Sequence, residues 1–161
     1  MKEKIKEISP YVLIVVVIVV IRIFIATPVK VDGDSMYNTL NDNDIVLLSK
    51  LSSIDRFDII VLKENDNNAT IIKRVIGMPG DKVKIRNNKI YINNKIIEDE
   101  YAYGETSDYE EITLGDDEYF VLGDNRLISK DSRYFGAIKK SDIKGKAVFR
   151  FWPLKKIGTL K

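Results

Sequence analysis

An unbroken apolar run near the amino terminus limits the possible folds of this chain more than any other feature. Residues 11–21 read YVLIVVVIVVI, Arg22 interrupts the run, and residues 23–26 resume it. As a helix, residues 8–26 would extend about 28 Å, which is close to the roughly 30 Å hydrocarbon core of a bilayer. The sequence therefore predicts a transmembrane anchor at residues 8–27, after a short tail at residues 1–7.

The charge beside this run predicts its orientation. Three lysines precede it, and basic residues favour the cytoplasmic side of a membrane. Residues 28–161 are therefore predicted to lie outside the cytoplasm, on a cell-membrane protein with a single span. Two alternatives stay open. One is a cleaved signal peptide, although residues 25–27 fit a cleavage site poorly. The other is a buried strand or helix, because a β-branched run also suits a core strand.

The rest of the chain predicts a mainly β fold built from antiparallel strands. Short runs rich in Val, Ile, Tyr and Phe alternate with turn residues, and no later segment has a sustained helical period. Asn87-Asn88 and Asn93-Asn94 separate apolar stretches, and Asn tolerates the positive φ of tight hairpin turns. The predicted strands are Ile45–Ser49, Ile59–Leu62, Thr70–Ile76, Lys82–Arg86, Lys89–Ile92, Glu118–Leu122 and Lys146–Trp152.

Charge is unevenly distributed along the chain. The first 26 residues account for the whole net charge of +2. Nucleic acid binding needs a basic surface, so the neutral remainder argues against a nucleic acid partner. Residues 98–118 hold ten acidic residues and no basic one, and we predict an acidic insertion there. It is either a solvated face or a part distal to the membrane, with the basic residues 139–161 near anionic headgroups.

The absence of His and Cys excludes the commonest hydrolytic sites. There is no imidazole base, no thiol nucleophile and no Cys/His zinc site. A reactive Ser in such a chain needs another base, and a desolvated Lys is the obvious one. Free Lys has a pKa near 10.4, and a useful base needs about 7 to 8, a shift that burial can produce.

Lys73 is the candidate base because it lies in an apolar strand pattern, TIIKRVI. Lys73 and Arg74 point to opposite faces of that strand, so one of the two side chains is expected to face inward. The alternative is an ordinary exposed strand lysine. Ser35 lies in GDSMYNTL, where a turn can present its hydroxyl, although most such serines are simply turn residues. Residues 123–136, GDNRLISKDSRYFG, are either a charged surface loop or a loop whose Asp–Arg pairs brace a site.

Taken in order, these motifs resemble those of the type I (leader) signal peptidases. The matching segments are Ser35-Met36, KRVIGMPGD at residues 73–81, and residues 123–136, with RFDIIV at residues 56–61 similar to an intervening family strand. The size of the chain and its single predicted anchor resemble those of the small Gram-positive members. The resemblance implies a serine protease with a Ser/Lys dyad, an antiparallel β domain resting on the outer membrane leaflet, and no metal or organic cofactor. The implied partners are signal peptides of exported precursors and the lipid bilayer.

The resemblance also implies roles at individual positions. Ser35 would be the nucleophile, and its backbone N–H would donate to the oxyanion. Lys73 would be the general base, and the Ser129 hydroxyl would hold its amine. The residues that would keep the surrounding loop ordered are Asp131, Arg133, Asp124 and Arg126.

Three positions depart from the family pattern. Asn38 stands where Pro is usual, Phe57 where Gly is usual, and Gly33 where some members carry a Ser that completes the oxyanion hole. The second oxyanion donor is therefore unassigned, with Gly33 as a candidate position.

The expected substrate is an extended peptide, because a β-edge cleft binds strands through main-chain hydrogen bonds. Family resemblance adds small residues one and three positions before the cut. The candidate walls of the cleft are Asp34, Met36 and Tyr37.

Two other functions stay open at this point. The first is a dedicated Ser/Lys peptidase that processes pilus or conjugation proteins. A relative of the self-cleaving SOS repressors is disfavoured by the predicted anchor and by the lack of a DNA-binding segment. The second is a non-catalytic, membrane-anchored β module that binds exported peptides, which the departures Asn38 and Phe57 favour.

Overall fold

The structure of the protein is a computed structural model, and it describes residues 2–20, 26–63 and 69–160. These residues contain helix α1 (Lys2–Val20), a short helix α2 (Ser132–Phe135), and two 3-10 turns at Lys140–Asp142 and Leu154–Lys156. The strands are β1 (Ala26–Lys30), β2 (Ile45–Ser49), β3 (Ile59–Lys63), β4 (Thr70–Gly77), β5 (Lys82–Arg86), β6 (Lys89–Ile92), β7 (Lys95–Ile97), β8 (Tyr109–Thr113), β9 (Glu118–Leu122), β10 (Ile138–Lys139), β11 (Ile143–Trp152) and β12 (Gly158–Thr159). The predicted mainly antiparallel β fold is confirmed.

The larger sheet has the order β1-β2-β11-β3-β4-β9-β10, with β12 added to β11. Every pairing along it is antiparallel, so β1 and β4, four steps apart, run in the same direction. β4 pairs with β3 from Thr70 onward, whereas its register with β9 begins at Arg74. The first half of β4 therefore has a neighbouring strand in this register only on the β3 side. It forms one border of the strands from β1 to β4, and the edge strand β1 forms the other.

The smaller sheet has the order β7-β6-β5-β8 and packs through an apolar cluster that it shares with Ile76 of β4 and with Phe120 and Leu122 of β9. Its hairpins turn at the predicted asparagines, Asn87-Asn88 and Asn93-Asn94, and all four residues have positive φ. Strand β8 lies inside the acidic segment 98–118 and pairs with β5. The prediction was an acidic insertion. The acidic segment is instead part of the β fold, because one of its strands completes this sheet.

The amino-terminal helix differs from the predicted anchor at both ends. It begins at Lys2 rather than at residue 8, and Ala26 and Thr27 belong to β1, paired with Ser49 and Leu48. Residues 21–25 of the predicted anchor lie outside the described residues. Within the described ranges, no helix has both the length and the apolar character required to cross a bilayer. The side chains from Tyr11 to Val19 are all exposed, between 46% and 70%.

Candidate active site

Ser35 is presented by a compact turn that is anchored in the core. Met36 and Leu40 are completely buried, in a cluster that also contains Val31 and Val46. The backbone N–H of Leu40 donates to the carbonyl of Met36 at 2.8 Å, which closes one helical turn. The apolar residues on both sides of the turn are packed in the core. This packing holds the Ser35 hydroxyl in a fixed position at the edge of the turn.

Lys73 reaches this hydroxyl from the middle of β4. Lys73 is only 3% exposed, and its Nζ donates to Ser35 Oγ at 2.8 Å. The neighbouring strand residues Ile72 and Val75 are buried, as the apolar pattern predicts. The contact puts an amine within proton-transfer distance of a serine hydroxyl in a desolvated place.

Arg74, the next residue, is also fully buried, so both cations face inward where one of the two was expected to do so. Its guanidinium forms a bidentate ion pair with Asp124, with Nε–Oδ1 at 2.8 Å and Nη2–Oδ2 at 2.7 Å. Arg74 also donates to Thr39 Oγ1 and to the Phe57 carbonyl, and Tyr101 lies 3.6 Å from the guanidinium, measured to the ring centre. Both faces of β4 are buried from Ile72 onward, because the acidic segment and the 123–136 loop cover the Arg74 side.

The 123–136 loop is ordered by two further Asp–Arg pairs. Arg133 binds both oxygens of Asp131, at 2.8 Å and 2.9 Å, and Asp131 also accepts from the Gly123 N–H and caps α2. Arg126 donates to the Gly123 carbonyl, to Thr106 and to Asp99. Arg126 therefore connects the loop to the acidic segment.

Gly123 lies where the loop passes closest to the nucleophile. A Cβ at this position would come within 2.1 Å of Ser129 Oγ and 2.6 Å of the Ser35 carbonyl oxygen. Only glycine fits this approach, because Ser129 and the Ser35 carbonyl both occupy the space that a side chain at position 123 would need.

Ser129 does not make the predicted contact with Lys73. Its hydroxyl is buried and has no hydrogen-bond partner among the described residues. Asn125, for which the sequence predicted no separate role, makes the direct link to the nucleophile. Its N–H donates to the Ser35 carbonyl at 3.0 Å, and its side-chain amide donates to the Asp34 carbonyl at 3.2 Å. The motif GDNR contains Asn125, but the spacing alone gives no signal for this contact.

The candidate position for a second oxyanion donor is also corrected. The Gly33 N–H donates to Asp42 Oδ1 at 2.9 Å, so it is already engaged. Gly33 has φ +82, a conformation that glycine adopts without strain. Its role is therefore to shape the chain before Ser35 rather than to offer this N–H to a substrate.

A groove of about 790 Å³ leads away from the dyad between β1 and the first half of β4. Ser35 and Lys73 line one end of it, and Thr27 and Thr70 lie along its walls. Met36, predicted as a wall, is fully buried in the core and does not line the groove, and neither do Asp34 and Tyr37. The walls belong to the following residues: Thr27–Asp32, Ser35, Leu48, Lys50, Val61, Ala69–Lys73 and Lys144.

Phe57 is the departure from the family pattern with the largest structural effect. It has φ +71, where a residue with a side chain is strained. Its ring packs against Tyr101 with the ring centres 5.8 Å apart, and burial raises the pKa of Tyr101 against the opposing effect of Arg74. Asn38, by contrast, is exposed in the turn after Ser35.

Comparisons with known proteins find several that are similar to this chain. A family model described as "Signal peptidase, peptidase S26" matches residues 4–152. Similar curated proteins include signal peptidase I of Streptococcus pneumoniae (strain ATCC BAA-255 / R6), 36% identical over 98% of each chain. Signal peptidase I of Bacillus caldolyticus is 39% identical, over 96% of this chain and 94% of the relative. A crystal structure of signal peptidase I from Enterococcus faecalis V583 matches with a TM-score of 0.55 and 34% identity, over 60% of this chain and 98% of that one.

Proposed function

This chain belongs to the S26 family of signal peptidases, serine proteases that remove signal peptides from precursor proteins, and we propose that Ser35 and Lys73 form its catalytic dyad. The observation that carries the proposal is the 2.8 Å hydrogen bond between Lys73 Nζ and Ser35 Oγ. A histidine-free chain has few other ways to activate a serine.

In the proposed reaction, the neutral Lys73 amine takes the proton from Ser35 Oγ, and Oγ attacks the scissile carbonyl carbon. The negative charge that develops on the carbonyl oxygen is stabilised by the Ser35 N–H. The C–N bond then breaks, and the leaving amine takes the proton from Lys73. The Lys73 amine then takes a proton from a water molecule, and this water attacks the acyl-enzyme. The proton passes from Lys73 to Ser35 Oγ as the peptide acid leaves.

Burial supports Lys73 in this role. Desolvation disfavours the charged form of an amine, and the reaction requires the amine to be neutral before the attack. The hydroxyl of Ser35 gives the buried amine a partner in that state. The hydrogen bond from the Asn125 N–H to the Ser35 carbonyl fixes the peptide plane between Ser35 and Met36. It thereby fixes the direction of the nucleophile.

The groove supports an extended peptide substrate. β1 and the first half of β4 run in the same direction along its two walls and reach the dyad at their carboxyl ends. A peptide in the groove can form main-chain hydrogen bonds with a strand edge, and alternate side chains enter the apolar floor formed by Leu48 and Val61. This is the proposed site for the residues that precede the cut.

We also propose that the amino-terminal segment anchors the enzyme in the cell membrane with residues 28–161 outside the cytoplasm. Support comes from the uninterrupted apolar run, from the lysines before it, and from the exposed apolar side chains of residues 11–19. The groove begins at Thr27, directly after this segment. An anchored enzyme would therefore meet its substrates at the surface of the bilayer.

The test is cleavage of a secretory precursor in lipid vesicles by the wild-type chain, Ser35→Ala and Lys73→Met. Exposed residues of the same types provide the controls, Ser141→Ala and Lys89→Met. We expect both dyad variants to lose cleavage by about 10³-fold or more with the fold retained, while the controls stay within about twofold. Cleavage that survives either dyad substitution would contradict the dyad. A wild type that binds the precursor without cutting it would favour the peptide-binding module instead.

A further inference from the structure

Near Ser35, but not among the residues that line the groove, two tyrosines form an exposed aromatic platform. Tyr37 and Tyr103 pack edge to face, with ring centres 5.2 Å apart and planes at 83°. They are 41% and 46% exposed, and Leu127 beside them is 64% exposed. Leu127 packs directly on the backbone of Gly104, the residue after Tyr103.

This platform is held rigidly with respect to the nucleophile. The Tyr103 N–H donates to the Asp124 carbonyl at 2.8 Å, and the Arg126 N–H donates to the Tyr103 carbonyl at 2.9 Å. Between these two contacts, the Asn125 N–H binds the Ser35 carbonyl. Three consecutive residues of one loop thus connect Tyr103 to Ser35, and Tyr37 follows Ser35 by two positions. An exposed aromatic pair in a fixed position loses little conformational entropy when it binds a ligand.

Resting on the proposed function, we infer that Tyr37, Tyr103 and Leu127 bind the first residues of the mature protein, those that follow the cut. The groove starts at Thr27, near the proposed membrane segment, and ends at the dyad. A signal peptide that leaves the membrane enters the groove first, so the chain beyond the scissile bond has to continue past Ser35. The platform is the apolar surface it meets there, and it favours apolar side chains over glycine.

The platform is a specificity surface rather than part of the catalytic group. Contacts of a side chain with an aromatic pair contribute to binding of the substrate and leave proton transfer between Lys73 and Ser35 untouched. Their loss should therefore raise KM for substrates that use the platform, with little change in kcat. A variant with a general structural defect would lower the rate for every substrate alike.

The experiment uses the full chain in lipid vesicles and two precursors that differ only at the second and third positions after the cut. One carries Leu-Leu there and the other carries Gly-Gly. We expect the wild type to have a kcat/KM about five- to tenfold higher for the Leu-Leu precursor. Tyr103→Ala and Tyr37→Ala should remove this preference and leave cleavage of the Gly-Gly precursor within about twofold. Tyr91→Ala, in the smaller sheet, is the matched control and should keep the preference.

Equal losses on both precursors in the tyrosine variants, or a wild type without preference, would overturn the platform while the proposed function stands. A wild type that cleaves neither precursor would contradict the proposed function, and the platform with it. Tyr103→Phe, which retains the ring, provides the check on folding and should keep most of the preference.

Discussion

The two sides of strand β4 carry neighbouring buried cations with opposite surroundings. On one side, Arg74 is neutralised by the bidentate carboxylate of Asp124 and covered by the ring of Tyr101. On the other, Lys73 donates to the hydroxyl of Ser35 at the end of an open groove. A guanidinium stays charged in any protein environment, whereas an amine can lose its proton when it is desolvated. The comparison separates a permanent ion pair that holds the strand from an amine that can change its charge.

One strand can therefore be both braced and reactive. The Arg74–Asp124 pair is costly to bury, and apolar residues of the same size are often as stable in such a place. Its geometric value is clearer, since Asp124 is followed by Asn125, which binds the Ser35 carbonyl. The ion pair thus sets the separation between the strand that carries the base and the loop that holds the nucleophile.

The largest effect is expected when the braced side loses its carboxylate. Asp124→Ala leaves the Arg74 guanidinium buried without its counter-charge, and we expect the free energy of unfolding to fall by about 3–5 kcal/mol. The matched control is Asp108→Ala, which breaks the exposed pair with Arg86 and should cost about 0–1 kcal/mol. Chemical denaturation measures both values. Similar losses in the two variants would mean that the buried pair does not brace the strand.

On the reactive side, the next effect is a loss of activity in acid. Since the proposed base works only as the neutral amine, kcat/KM for precursor cleavage should fall about tenfold per pH unit once Lys73 is protonated. The free energy of unfolding, measured at the same pH values, separates this loss from acid unfolding. Activity that stays flat down to about pH 5 would exclude a lysine base of this kind.

A smaller effect concerns Phe57, which covers the braced side. Because its φ of +71 suits glycine, Phe57→Gly should be more stable than Phe57→Ala by about 1 kcal/mol. Both variants lose the packing on Tyr101, so their difference reports the backbone alone. At Tyr91, in strand β6, we expect the reverse order, with the Gly variant less stable than the Ala variant. Thermal or chemical unfolding of the four variants tests this, and the same order at both positions would refute it.

The smallest effect is expected at Tyr101, on the same side. Burial raises its pKa, so the fold favours the neutral phenol. This contribution is complete below about pH 10 and is lost as the pH rises through the raised value. Tyr101→Phe cannot ionise and should therefore lose less stability than the wild type in alkali. The exposed Tyr134→Phe should follow the wild-type curve, and identical curves for all three proteins would contradict the expectation.

The sequence predicted the strands whose apolar runs are bounded by turn residues and missed others. Strands β2, β5, β6 and β9 have the predicted bounds, and Asn, Asp, Gly or Ser residues lie close to the ends of each. Strand β1 was missed because Pro28 and the preceding apolar run indicated the end of an anchor. Strand β8 was missed because its charged sequence, YEEIT, pairs with β5 at a sheet edge, where burial imposes little pattern.

The candidate site was predictable as a set of residues but not as a set of contacts. Ser35 and Lys73 meet as the motifs suggested. The Arg74–Asp124 pair and the Asn125 clamp depend on β9 lying beside β4, and no local spacing encodes that pairing. The fully buried Met36 shows the same limit, since a residue next to the nucleophile was expected to face the substrate and instead holds the turn in the core.

The contacts that complete the site join residues far apart in the sequence, and this affects when the site can form. Ser35 and Lys73 are 38 positions apart, whereas Asn125 binds the Asp34 carbonyl across 91 positions. Contacts so distant in sequence form late, after the loop-closure entropy has been overcome. A chain still being synthesised has its nucleophile long before the residues that orient it. The hydrogen bonds that Asn125 makes to the backbone around Ser35 can therefore form only after the segment that contains Asn125 has been made.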